Sequence, residues 1–261
     1  MAEWLVLTIA MAVTCAVVLA VILLSQSRHG ALATGEEPRE VHTPDVLEYM
    51  TMMVGVIYAI VLGLAIAGVW EARGAAQDNV RREAQALHEI SQRAEALPAD
   101  VRTRIRADIG EYVSYVVRTE WPRMTHGKEL SARGGELLEA VRKDITRRTP
   151  KNDLEAGVYQ PMVEQAAAAA DARITREESA ESSTLPAVVW YGLIGGAVAT
   201  IGLIFTMRMG GSSRELLIAG LFSALITFLL FLVWDFDAPF GRAGSDTATA
   251  DAFRRLFPGS T

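Results

Sequence analysis

Four long apolar runs dominate the pattern of hydrophobic and polar positions along the chain. They cover residues 4–27, 49–70, 182–207 and 216–234, and none of them contains a charged side chain. Because a helix rises 1.5 Å per residue, a run of about 20 residues is long enough to cross a bilayer core of roughly 30 Å. The pattern therefore predicts an all-α protein with four membrane-spanning helices.

Apolar stripes at helical spacing continue in the stretch between the second and third runs, where no strand alternation occurs. The first stripe extends the second span and ends at Leu97, before Pro98. A second helix should begin at a cap provided by Asp100 and close before Trp121, and a third should begin at Ser131.

A fourth helix should begin at a cap provided by Asn152 or Asp153 and lead into the third span. Amphipathic helices bury their stripes against one another, so the stretch is predicted to form a cytoplasmic bundle built partly from extensions of the second and third spans. The apolar positions of these stripes are Val80, Leu87, Ile90, Ala94, Val101, Ile105, Ile109, Tyr112, Val116, Leu137, Leu138, Val141, Ile145, Leu154, Val158, Met162 and residues 166–170.

Arginines near the ends of the runs predict the orientation in the membrane. Basic flanks resist translocation, so the side with more of them is expected to be cytoplasmic. That side carries Arg73, Arg81, Arg82, Arg173, Arg176, Arg242, Arg254 and Arg255, against Arg28, Arg39, Arg208 and Arg214 on the other. Both termini are therefore placed in the cytoplasm.

Five segments follow from these assignments. They are the first span with an external acidic loop (1–48), the second span (49–70), the cytoplasmic helical domain (71–185), the third and fourth spans (186–234), and a cytoplasmic C-terminal tail (235–261).

Composition excludes several classes of protein. The mean hydropathy of +0.22 is high for a soluble chain. A net charge of -6 offers no basic surface to nucleic acid. The single cysteine, Cys15, can form neither an internal disulfide nor a thiolate metal cluster. The four histidines are dispersed outside the spans, and no catalytic motif is present. We predict a protein that is not an enzyme and has no cofactor.

The second span has two distinct faces. Small residues recur every four positions at Gly55, Ala59, Gly63 and Ala67, which is typical of a ridge for close helix packing. The other face consists of Val54, Ile57, Val61 and Leu64. In an oligomer this apolar face could form a hydrophobic gate, and the alternative is ordinary contact with lipid or protein.

Three acidic residues lie at span ends on the cytoplasmic side. Asp235 and Asp237 could bind a cation such as calcium or line a charged ring, or they could be solvated acids that end a helix before Pro239. Glu71 could form a ring at a pore mouth or be an ordinary interfacial charge. The sequence does not identify a metal.

Several short segments together resemble a known family. They are GVIYAIVLG at 55–63, VWE at 69–71, REAQAL at 82–87, EWP at 120–122 and DAPF at 237–240. In this order they resemble the bacterial bestrophin-like membrane proteins, which share a domain of unknown function, and the likeness extends over about residues 45 to 257. Ala238 is a departure, because family members commonly have arginine there.

The resemblance implies a function that the composition does not. Bestrophins are homo-oligomeric, typically pentameric, ion channels whose second membrane helix lines the pore, and they carry an acidic calcium site in a region comparable to Asp235 and Asp237. We therefore expect a multi-pass ion channel of the bacterial inner membrane that passes small ions. Its partners would be the lipid bilayer and further copies of itself, without nucleic acid.

Two questions stay open at the level of sequence. Likeness to bestrophins suggests anions, whereas the acidic outer loop would concentrate cations. The alternative function is a non-conducting membrane scaffold or sensor whose cytoplasmic bundle binds partner proteins.

Overall fold

The chain forms α-helices throughout the part that the structure describes. The structure is a computed structural model and describes residues 45–125, 130–181, 184–206, 213–240 and 251–259. No strand occurs within these ranges, which confirms the predicted all-α class. The helices are α1 (Asp45–Arg93), α2 (Ala99–Tyr115), α3 (Trp121–Met124), α4 (Ala132–Thr146), α5 (Asp153–Glu181), α6 (Ala187–Thr206), α7 (Ser213–Phe236) and α8 (Asp251–Leu256), with a 3-10 turn at Ala94–Ala96 and a π-helical segment at Val116–Glu120.

Two compact units divide the chain. One, here called the membrane unit, consists of Met1–Gly68 and Leu185–Asp235, and the other, here called the bundle, consists of Val69–Thr184 and Phe236–Thr261. Helix α1 contributes residues to both units.

Two helices of the described ranges are long and apolar enough to cross a membrane. One lies within Tyr49–Ala96 and the other is Leu217–Phe236, while Ala187–Leu203 is a shorter apolar stretch. The first apolar run, Cys15 and the acidic outer loop up to residue 44 lie outside the described residues. The expected count of four spans stays a prediction.

The bundle has a contiguous apolar core to which α1, α2, α4, α5 and α8 all contribute. The predicted stripes of α2 and α4 are confirmed, because their apolar positions are buried together. The core includes Val80, Leu87, Ile90, Ile105, Ile109, Tyr112, Leu137, Val141, Ile145, Met162, Ala169 and Phe253.

Ala167 and Ala168 are exposed exceptions among the predicted core positions, and so is Leu154, with 64% of its surface exposed. Its neighbour Glu155 is buried instead and accepts hydrogen bonds from Arg148 Nη2 at 2.9 Å and from the backbone N–H of Lys151 at 3.1 Å. These bonds hold Glu155 against the protein, and Leu154, about 100° away around the helix, faces outward. The assignment of Leu154 to the core was wrong.

Two of the predicted caps are confirmed and one is wrong. Ser131 Oγ accepts a hydrogen bond from the Arg133 backbone N–H at 3.2 Å, and Asn152 Oδ1 accepts one from the Glu155 backbone N–H at 2.8 Å. The N-cap of α2 is Pro98 and makes no side-chain cap bond. Asp100 lies inside the first turn of α2, where its carboxylate still faces the positive end of the helix dipole.

The helical path after α2 does not close before Trp121, in contrast to the prediction. The π-helical segment carries it into α3, which runs as far as Met124. Pro122 lies in the first turn of α3, where a missing backbone N–H is tolerated.

Helix α5 and the third apolar run form separate helices. Helix α5 ends at Glu181 and α6 begins at Ala187, so the path that leads from the bundle to the third span contains a helix break. Pro186 disfavours the α conformation at Leu185, which explains the break.

Candidate functional site

Helix α1 uses one narrow face to pack within the membrane unit. Tyr58, Leu62 and Ala65 are buried, with spacings of four and three residues that place them on the same side of the helix. The rest of this part of α1 is largely exposed in the single chain.

The predicted gate residues lie on an exposed face next to this buried one. Because the described residues do not cover them, they are available for contact with lipid, with another copy or with water. Their exposed fractions are 38% for Val54, 59% for Ile57, 44% for Val61 and 69% for Leu64.

The predicted small-residue ridge is not covered by the part of the chain that the structure describes either. Ala59, Gly63 and Ala67 are exposed, and a Cβ atom added to Gly55 or Gly63 would have no neighbour within 4 Å. Within the described ranges the ridge is therefore left open for other contacts.

Helices α1 and α6 meet instead at a different glycine. A Cβ atom on Gly196 would lie 2.5 Å from Cδ2 and 2.7 Å from Cε2 of Tyr58, so only glycine leaves room for the ring. The Tyr58 hydroxyl donates a hydrogen bond to the carbonyl oxygen of Leu193 at 3.2 Å. The ring and the hydroxyl of Tyr58 therefore both contact α6, at neighbouring positions on that helix.

The acidic residues near the span ends differ from one another. Glu71 is exposed, whereas Asp237 is buried, so the interpretation of Asp237 as a solvated acid was wrong. Asp235 is partly buried and, like Asp237, takes part in polar interactions. Among the described residues no three His, Cys, Asp or Glu side chains converge to hold a metal ion.

Aromatic and basic side chains that neighbour these acids in the sequence contact one another. The rings of Trp70 and Phe236 meet edge to face at 5.1 Å, and the Arg73 guanidinium lies 5.1 Å from the centre of the Phe236 ring. Such cation–π contacts are typically worth about 0.5–1 kcal/mol at exposed sites.

A cluster of four buried charged residues and one buried tyrosine in the bundle was not predicted. Its five members are buried and come from four helical segments, and we call it the charge network. They are Glu83 of α1, Tyr112 of α2, Glu120 of the π-helical segment, and Arg173 and Arg176 of α5.

Two carboxylates and two guanidiniums alternate in this network. Arg173 holds Glu120 in a bidentate pair with both N–O distances at 2.7 Å. Arg176 bridges the two acids, with Nε 2.7 Å from Glu83 Oε2 and Nη2 3.2 Å from Glu120 Oε2. The Tyr112 hydroxyl donates to Glu83 and accepts from both arginines, at 3.3 Å and 3.4 Å.

The charges of the network compensate one another. Burial alone would raise the pKa of the Glu120 carboxyl, but the hydrogen bonds and positive charges of Arg173 and Arg176 outweigh it and hold that pKa below its usual value. Burial and the charge of Glu83 raise the pKa of the Tyr112 hydroxyl, which therefore stays protonated. The network is thus two negative and two positive charges joined by a neutral phenol.

Helix α4 approaches the network closely at Gly134. A Cβ atom at this position would collide with Glu120 Oε1 and lie 2.6 Å from Arg173 Nη2. The neighbouring Gly135 has open space around it. Glycine at 134 therefore allows α4 to pack directly on the charged pair.

The sequence contained an indication of the charge network, because several of its charged residues occur at the helical spacing of the buried apolar positions. Arg173 and Arg176 continue the buried spacing of Met162, Ala166 and Ala169, in steps of four and three. Glu83 likewise lies between Val80 and Leu87 on one side of α1. Charged residues in register with a core stripe are candidates for buried pairs.

Two of the described helices have the length and apolar composition of membrane spans, in a protein that is helical throughout its described elements. A family model described as the Bestrophin-like domain matches residues 12–245. The chain belongs to the bestrophin-like family, which confirms the resemblance found in the sequence.

Solved structures show the same fold. Two crystal structures of a bacterial bestrophin homolog from Klebsiella pneumoniae align with TM-scores of 0.71 and 0.68, at 14% and 15% identity. Both alignments cover 96% of this chain, and 96% and 97% of those chains. A crystal structure described only as that of a membrane protein aligns with a TM-score of 0.70 at 14% identity, over 96% of this chain and 95% of that one. No curated protein matches the chain.

Proposed function

We propose that the protein is a homo-oligomeric, bestrophin-like ion channel that conducts small ions across the bacterial inner membrane through a pore lined by α1. Family membership and the shared fold support this proposal. The proposed orientation has both termini and the bundle in the cytoplasm.

One observation carries the proposal, namely that the described residues leave the Val54, Ile57, Val61 and Leu64 face of α1 exposed. Copies of such a face around an axis would form a narrow apolar constriction that opens and closes by wetting. The bare ridge of small residues on α1 would then be available to pack against a neighbouring copy. A pentamer is suggested by the family resemblance alone.

The acidic residues complete the proposal at the cytoplasmic end. Exposed Glu71 would form a ring of negative charge at the pore mouth and raise the local concentration of cations. Asp235 and Asp237 are retained as candidate cation ligands, with calcium as the ion suggested by the bestrophin likeness.

The alternative function is a non-conducting scaffold or sensor. It is favoured by the bundle's own core and charge network, which make it a compact unit able to present a fixed surface to a partner protein. A sealed assembly without an axial path would support this alternative.

Current through the purified protein tests the proposal. Single-channel recording in planar bilayers with asymmetric salt should show conduction, and the reversal potential then gives the selectivity. Replacing Ile57→Ala should raise the conductance or the open probability several-fold, because a shorter side chain makes an apolar constriction wider and easier to wet.

Ile194→Ala on α6 is the matched control, because Ile194 has a similar exposed fraction of 51% in an apolar helix. It should leave the current unchanged. Equal effects of the two substitutions would remove Ile57 from the constriction. Silence of the unmodified protein at varied voltage, calcium and pH would favour the scaffold.

A further inference from the structure

We propose that Tyr58 is a positioning residue that sets the rotation of α1 about its own axis, and that Gly196 is the notch that receives it. Through this contact Tyr58 would determine which side chains of α1 line the pore. The inference rests on the proposed channel function and assigns a part in it to two residues outside the pore.

The hydroxyl of Tyr58 gives the contact a fixed direction. It is buried in an apolar unit, where a hydroxyl without a partner is costly, and it donates to the carbonyl oxygen of Leu193 at 3.2 Å. Leu193 is itself fully buried. The acceptor is a backbone atom of a helix, so it cannot follow Tyr58 if α1 turns.

The ring of Tyr58 packs closely against the backbone at Gly196. Gly196 leaves space for two ring carbons where a Cβ would stand 2.5 Å and 2.7 Å away. An aromatic ring has no flexible end, so any side chain at position 196 must push the ring and its helix aside. The neighbouring Gly195 has no atom within 4 Å of its Cβ position, so the notch is specific to one glycine.

The position of Tyr58 on α1 couples this contact to the proposed pore face. Successive residues are about 100° apart around a helix, so Ile57 lies to one side of Tyr58 and Ala59 to the other. Turning Tyr58 out of its notch turns Ile57 and Val61 by the same angle. The orientation of the gate thus depends on a contact made on a different face of the helix.

A nitroxide scan of α1 tests this inference independently of conduction. In a Cys15→Ser background, single cysteines at positions 52–57 and 59–64 are spin-labelled in liposomes, and their collision rates with oxygen and with a nickel chelate are measured. Exposure along a helix varies with a period of 3.6 residues, and the phase of that variation reports the rotation of α1.

Gly196→Val should shift this phase by at least about 30°, a third of the angle between successive residues. Gly195→Val is the matched control and should leave the phase unchanged. An unchanged phase in Gly196→Val would overturn the inference. If Gly196→Val does not fold, Tyr58→Leu removes the ring and the hydroxyl from α1 instead. The exposure phase of α1 should shift in this variant too, and an unchanged phase would overturn the inference.

Single-channel conductance of the same variants separates the two proposals. Gly196→Val should change the conductance and Gly195→Val should not. If the exposure phase of α1 changes but the conductance does not, the Tyr58–Gly196 contact does not determine the geometry of the pore. Silence of the unmodified protein would count against the channel function, while the phase would still decide whether Tyr58 sets the rotation of α1.

Discussion

Tyr58 and Tyr112 are both buried phenols that reach from one helix to another, and their surroundings differ. In the membrane unit, Tyr58 donates to an uncharged backbone carbonyl. In the bundle, Tyr112 donates to a carboxylate and accepts from two guanidiniums. The same side chain thus joins helices in a neutral setting in one unit and in a charged setting in the other.

Two glycines extend the comparison. Gly196 gives room to an aromatic ring, and Gly134 gives room to an ion pair. In both units the absence of a side chain on one helix lets a large group from another approach the backbone. Both units therefore use a glycine for close helix contact, but the group that contacts it is an aromatic ring in one unit and an ion pair in the other.

The physical reason for the difference is the surroundings of each unit. Lipid is as apolar as the helices it surrounds, so spans gain little from burying apolar surface and depend on close packing and neutral hydrogen bonds. A bundle in water gains from its apolar core, and that gain can offset the desolvation of four charges when they are paired. Buried ion pairs are therefore expected in the bundle and not in the spans.

Replacing Arg176→Met should produce the largest loss of stability. It removes the cationic partner that Glu83 has within the described part of the chain, and it weakens the pairing of Glu120. Breaking a buried ion pair from one side costs about 3–5 kcal/mol. Denaturant unfolding of the purified protein in detergent measures the effect.

Arg81→Met is the control, because Arg81 forms an exposed pair with Asp78 at 2.8 Å. Exposed pairs contribute about 0–1 kcal/mol. Equal stability of the two variants would show that the charge network contributes nothing to the stability of the bundle.

The two tyrosines offer a matched test of the comparison itself. Tyr112→Phe removes hydrogen bonds to charged groups and should cost roughly 1.5–3 kcal/mol. Tyr58→Phe removes one neutral bond in an apolar unit, where such bonds average about 0.6 kcal/mol. Thermal and denaturant unfolding of both variants give the two losses in the free energy of unfolding. A larger loss for Tyr58→Phe than for Tyr112→Phe would contradict our account of the two units.

Substitutions at two adjacent glycines of α4 are expected to have effects of opposite sign. Gly134→Ala forces a methyl group into the Glu120–Arg173 pair and should cost about 1–3 kcal/mol, as overpacking does. Gly135→Ala enters open space in the same helix and should stabilise the protein by about 0.5–1 kcal/mol, because alanine favours the helix. Unfolding midpoints measure both, and a tolerated Gly134→Ala would show that α4 can move away from the network.

The sequence predicted the apolar stripes well, and it predicted the charged residues among them poorly. Ile105, Ile109 and Val141 are buried as their spacing indicated, because apolar periodicity reports directly which helix face leaves water. Glu155 was missed and Leu154 misassigned, because hydrogen bonds from a neighbouring loop decide which of two adjacent residues turns inward.

The sequence by itself determined the all-helical class, the apolar runs, the caps at Ser131 and Asn152, and the family. Each of these depends on local spacing or on short segments that one chain displays directly. Only the tertiary structure decided that Glu83 and Arg176, 93 residues apart, form a pair, and that Tyr58 faces Gly196. Such partners are set by how distant helices pack, and the pattern of a single helix specifies which face is buried but not what that face meets.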